Sequence, residues 1–128
     1  MRGFLAGIAG LTLGLCFLVT NAAAQMKTYK GEITDEHLNC IKSPMKIGQD
    51  VTLDKAACIM YWTDYQKPPA NVVLYDAATK MAYGLDDQRL ARQYIGAKVI
   101  VTGAEMNKTI KITSIRVNES AYKTGASS

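Results

Sequence analysis

The chain is poor in the residues that carry most hydrolytic and metal chemistry. Its 128 residues contain one histidine, His37, and three cysteines, Cys16, Cys40 and Cys58. A structural zinc site wants four ligands, usually in paired short spacings. A metal- or redox-linked reading of His37, Cys40 and Cys58 has to find its fourth ligand in Asp35, Glu36 or water. Cysteine–histidine catalysis fares no better, because no orienting partner or oxyanion loop accompanies the pair. Met45, Met60, Met81 and Met106 are scattered where a copper(I) site would favour clustered thioethers, and Met60 and Met81 suit core filling. There is no internal repeat. Neither catalysis nor a cofactor is expected. Net charge is also small, formally +4. That excess is compatible with weak attraction to polyanions and does not demand it.

What is present begins at the N-terminus. Met1-Arg2 precedes "GFLAGIAGLTLGLCFLVT", Gly3 to Thr20, which has no charged residue, and Ala22 to Ala24 follow Asn21. A basic start, an apolar stretch and an A-x-A exit predict a secretory signal peptide over residues 1–24, with Gln25 first in the mature chain. Leu15 before Cys16 argues against a lipid-attachment cysteine. Cleavage leaves Cys40 and Cys58, and an even count in an exported setting favours a disulfide. The loop it would close spans eighteen positions, worth about 3 kcal/mol in the chain-entropy description. The expected location is therefore outside the cytoplasm, periplasmic or secreted.

The rest reads as one domain over residues 25–118 with a polar tail, 119–128, that is expected to fray. "KTYKGEITD" alternates, with Tyr29, Gly31 and Ile33 on one face and Lys30, Glu32 and Thr34 on the other. Gly31 inside it suggests a bend. Residues 36–49 read as an irregular connection that Cys40 would anchor. "VTLDKAACIMYWTDYQKPP" reads as a helix capped by Thr52 or Asp54 and stopped by Pro68-Pro69. "NVVLYD" and "MAYGL" form a hairpin. "DDQRLARQYIG" is a short helix with Asp86 or Asp87 as cap and Gly96 as stop. "AKVIVTG" is a strand followed by a turn from Gly103 through Asn107-Lys108. "TIKITSIRVN" is a last strand whose apolar parity slips by one, which predicts a bulge near Thr113-Ser114.

Five short strands are too few for a sandwich of two full sheets. The expected fold is mainly β (α+β): a five-stranded OB-like β-barrel with a helix inserted after strand 1 and a short helix between strands 3 and 4. That second helix argues against an SH3-like barrel. The chain also resembles a family of small exported bacterial domains with an OB-like barrel. Gly31, Ile33 and Asp35 carry the resemblance near the start; Leu74, Asp76, Tyr83, Leu85, Asp86 and Gln88 carry it in the hairpin; Gly96, Val99, Val101, Thr102, Gly103, Ile110 and Ile115 carry it at the end. The family often has a second cysteine shortly after the one corresponding to Cys58, where Tyr61 and Trp62 stand here. The resemblance implies a fold and a compartment, and no activity.

The function expected from these readings is an exported, non-catalytic binding or envelope-associated module. OB-folds bind oligonucleotides or oligosaccharides on the face of strands 2 and 3. The candidate contact residues are Trp62, Tyr75 and Tyr83, with Arg89, Arg92 and Lys111 supplying charge. The candidate partners are an anionic glycan, single-stranded nucleic acid or an envelope protein. The metal-linked reading of His37, Cys40 and Cys58 is the alternative from another class.

Overall fold

The computed structural model describes residues 25–42, 44–48 and 51–126. The expected signal peptide, residues 1–24 with Cys16, lies outside the described residues. In chain order the described strands are β1 (Met26–Asp35), β2 (Met45–Ile47), β3 (Val51–Leu53), β4 (Val72–Asp76), β5 (Met81–Leu85), β6 (Lys98–Met106) and β7 (Thr109–Val117). Three short helices accompany them among the described residues: α1 (Lys55–Met60), α2 (Gln88–Ala91) and α3 (Glu119–Ala126).

Five of the strands form a mixed sheet that closes in a ring, in the order β1-β4-β5-β7-β6 and back to β1. Its pairs are antiparallel except β5 with β7. The alternation of β1 decides what faces inward. Ile33 lies opposite Leu74, and both are fully buried with Val72, Val99, Val101 and Ile110. Burying each such side chain contributes about 1.5–3 kcal/mol. Lys30 is exposed and Glu32 half-buried on the opposite side.

Two irregularities let the sheet curve. β1 pairs with β6 from Met26 to Glu32 and with β4 from Glu32 to Asp35, so it changes neighbour beside Gly31. A Cβ on Gly31 would lie 2.5 Å from the backbone oxygen of Tyr75, so only glycine lets β1 approach β4 there. On β7, Ser114 pairs with Thr102 while Ile112 pairs with Gly103. Thr113 is the extra residue of a bulge, where the parity slip predicts one. The β6–β7 turn is tighter than expected. β6 runs on past Gly103 to Met106, and Asn107 and Lys108, at φ 53° and 62°, make the two-residue connection.

The insertion between β1 and β4 departs from the sequence reading. The expected helix over residues 51–67 begins later, because Val51–Leu53 pairs antiparallel with Met45–Ile47. Val51 and Thr52 are β-branched and take the extended form in which a partner strand is available. Asp54, not Thr52, caps α1: its Oδ1 accepts from Ala57 N at 2.8 Å. Beyond Met60 the helix widens into a π-type turn over Tyr61–Tyr65. Met60, expected in the core, is 43% exposed, because Cys58 and Ile59 take the inward side of α1. Cys40 and Cys58 are joined in a disulfide with Cα atoms 5.8 Å apart. Both are buried in the core cluster, and Met45 Sδ packs 3.0 Å from Cys58 Sγ.

After β5, Asp87 Oδ1 accepts from Leu90 N at 3.0 Å and starts α2, and Gly96 at φ +79° ends the turn that follows. The segment expected as a tail holds α3. Tyr122 helps dock it: its hydroxyl accepts a 2.8 Å hydrogen bond from Lys98 N, while Asn118 N donates to Lys98 O at 2.8 Å. A hydroxyl reaching back to a strand is a tertiary contact that the polar composition of the tail conceals. No helix among the described residues is long and apolar enough to cross a membrane.

Candidate functional site

The first strand ends in a tied turn. Asp35 is fully buried, and its carboxylate accepts backbone hydrogen bonds from Cys40 N through Oδ1 and Asn39 N through Oδ2, each 3.0 Å. Its backbone oxygen accepts from Leu38 N at 2.9 Å, and Leu38 takes φ 58°. These bonds aim Cys40 into the core and leave His37 outside. The His37 side chain is 66% exposed, with Nε2 3.9 Å from Glu36 Oε1. The disulfide occupies both cysteine sulfurs. Among the described residues no group of three or more His, Cys, Asp or Glu is arranged to hold a metal ion.

A groove of about 390 Å³ opens on the outer face of the ring. Its floor follows from the register: Tyr75 pairs with Glu32 across β4 and β1, and Glu32 pairs with Lys98 across β1 and β6. Residues directly paired in this way project to the same face. Lys30, two residues before Glu32, lines the same groove. One wall comes from the insertion, where Lys55 Nζ donates to Glu32 Oε2 at 2.7 Å and Ile41 supplies apolar surface. The opposite wall is Asn118 and Ala121 at the start of α3. The β4–β5 turn closes the end with Asp76, whose Oδ1 accepts from Ala78 N at 3.0 Å. Three lysines and two carboxylates therefore share the groove with one tyrosine. Among the described residues, the ion pairs include Lys55 but neither Lys30 nor Lys98.

The residues expected to bind a ligand are dispersed. Tyr75 lies in the groove. Tyr83 pairs with Leu74, faces the ring interior and tilts against Tyr29 with ring centroids 5.1 Å apart. Trp62 packs against the core and meets Tyr61 edge-on at 5.4 Å. Its Nε1 is buried without a hydrogen-bond partner among the described residues. Arg92 pairs with Asp64, tying the turn after α2 to the turn after α1. Arg89 is exposed on α2. Lys111 lines a separate depression of about 450 Å³ with Asp86, Met106 and Asn107. Asp86 Oδ1 there accepts from Ile112 N at 2.9 Å.

The groove thus draws on Lys30, Glu32, Lys55 and Lys98, which sequence reasoning did not single out as ligand contacts. The alternation of "KTYKGEITD" does place Lys30 and Glu32 on the outer face. That Lys98 and Tyr75 flank them depends on long-range register.

One half-buried phenol has perturbed acidity. Desolvation raises the pKa of Tyr29 above its ordinary 10.0, helped by the nearby negative charge of Glu105 and by Tyr83. It lies on the inward face of β1, away from the groove. Comparison of the chain with protein-family models, with curated proteins and with solved structures returns no match.

Proposed function

We propose that the chain is an exported, non-catalytic binding module built on an OB-like barrel, and that it engages its ligand in the groove between the insertion and α3. The observation that carries the reading is the meeting of Tyr75, Lys30 and Lys98 on one concave outer face. Support for the fold comes from the ring of five strands with its one parallel pair, the helix between the third and fourth ring strands, and the bulged last strand. The resemblance to small exported domains agrees with it. The groove overlaps the usual OB ligand face at Tyr75 and at the first-to-second-strand connection, but extends toward the first and fourth ring strands instead of the third.

Support for export comes from the apolar N-terminal stretch with its small-residue exit and from the disulfide, since such bonds persist in oxidising compartments. Intact mass of the protein recovered from its native compartment tests this part, with a mature chain starting at Gln25 as the expected result. The binding part is tested by amide chemical-shift mapping against a panel of short oligosaccharides and oligonucleotides. Shifts concentrated at residues 30–32, 75–78 and 98 are expected. Shifts confined to Asp86, Met106 and Lys111 would move the site to the other depression.

A further inference from the structure

The groove's mixture of charges says more about its ligand than its net charge does. A phosphodiester strand carries a negative charge at every residue and favours a track that is positive along its length. Here Glu32 sits in the middle of the floor, between Tyr75 and Lys98, and Asp76 closes one end. Glu32, already paired with Lys55, leaves the middle of the floor without a surplus of positive charge, and Asp76 opposes a continuous polyanion at the end. The same groups suit a ligand that has donors and acceptors close together. Sugar hydroxyls are both: they can donate to Glu32 and Asp76 and accept from Lys55 and the Asn118 amide. The Tyr75 ring, with Ile41, Ala77 and Ala121 around the groove, offers apolar surface for the C–H face of a sugar ring. Lys30 and Lys98, outside the ion pairs of the described residues, can together hold one localised negative group on that ligand.

We infer that the groove binds an acidic saccharide, with a sugar ring against Tyr75 and its carboxylate or sulfate held by Lys98 and Lys30. This inference rests on the groove being the binding site and names the chemistry of its ligand. An oxidising, extracytoplasmic setting, which the disulfide favours, is also where such saccharides occur.

The test uses the purified protein and four probes of matched length: an oligouronate, a sulfated oligosaccharide, an uncharged oligosaccharide and oligothymidylate. Affinities are measured at one fixed salt concentration, with amide shift mapping for each probe. At least one acidic saccharide is expected to bind at least about tenfold more tightly than the uncharged saccharide and oligothymidylate, about 1.4 kcal/mol. It should shift the amides of residues 30–32, 75 and 98. Tyr75→Ala and Lys98→Gln should each weaken it about tenfold, while Tyr75→Phe, which keeps the ring, should stay within about twofold. A preference for oligothymidylate or for the uncharged saccharide at these same amides would overturn the acidic-saccharide inference and leave the groove as the site. Acidic saccharides that shift only residues around Lys111, or bind Tyr75→Ala and Lys98→Gln unchanged, would overturn the groove itself. Absence of binding by both acidic probes would also overturn the inference.

Discussion

Ile33 and Cys40 are both fully buried and belong to the same core cluster, yet the chain holds them there by different means. Ile33 sits in a ring of strands, opposite Leu74 and among aliphatic side chains from four other strands. Cys40 sits in an insertion whose own sheet has two three-residue strands. The insertion puts Cys40, Cys58 and Ile59 into that core and is otherwise fixed by point ties: the disulfide within it, the Asp35 carboxylate, the Asp54 cap, the Arg92–Asp64 pair and Asn71 N donating to Glu36 Oε1 at 2.8 Å. A distributed apolar core loses a little everywhere when one contact goes. A point-tied segment loses one tie outright. The groove lies where the two meet, with its floor on the ring and one wall on the insertion.

The sharpest way to break this contrast is to open the ring. Ile33→Ala removes a fully buried side chain and is expected to cost about 4 kcal/mol, measured by denaturant unfolding. Hydrogen exchange should accelerate in β6, β7 and α1 alike, because the insertion has no foundation without the ring. Acceleration confined to β1 and β4 would contradict that. The double substitution Cys40→Ser with Cys58→Ser comes next. The sequence separation of 18 residues sets a loss of about 3 kcal/mol. Amides of β2, β3 and α1 should lose more protection than those of Val99 to Val101. Equal losses in both regions would mean that the two fold as one unit and that the contrast is wrong.

The same contrast explains which parts were legible in the sequence. The ring strands were, because alternation in "KTYKGEITD" and the parity slip in "TIKITSIRV" are local signals of what faces inward. The β2–β3 pairing was not: Met45–Ile47 and Val51–Leu53 are too short to show a period. Of the hairpin tyrosines, Tyr83 shares a parity with Met81 and Leu85 that marks the inward face. Tyr75 follows Val72, Val73 and Leu74, all buried, so its strand shows no alternation to orient it. Arg92 and Lys98 illustrate the limit for charge. Both are ordinary cations in sequence, and only contacts made far along the chain pair Arg92 with Asp64 and set Lys98 beside Glu32.

A smaller effect should come from Gln88, which extends the ring's ladder with a side chain. Its Oε1 accepts from Val72 N at 2.8 Å, and its Nε2 donates to Val72 O at 2.9 Å and Leu85 O at 3.0 Å. Val72 is fully buried, so Gln88→Ala leaves its backbone groups without those partners. The expected loss is about 2 kcal/mol. Exchange at the Val72 amide should rise more than at β6. If it does not, the amide is a surface contact and the ring closes without it.

The smallest effect tests the ring from the inside and depends on pH. Tyr29 lies on the inward face of β1 against Tyr83, and burial first, then Glu105 and Tyr83, raises its pKa above 10.0 in the folded chain. The unfolded chain releases that proton more readily. The stability that the neutral phenol contributes is therefore fully present below about pH 10 and is lost as pH rises through the folded value. Tyr29→Phe cannot ionise, so its stability should track the wild type up to about pH 9 with a constant offset. Above pH 10 the variant should gain on the wild type as pH rises. Thermal unfolding across pH 7 to about 11 measures the difference between the two curves, which cancels the tyrosines and lysines they share. Curves that stay parallel through that range would mean that the phenol meets the same solvent folded and unfolded. Solvent would then reach the phenol of Tyr29 even though its register partner Val101, and Leu74 opposite Tyr83, are fully buried, and the core would be sealed only beneath the two rings.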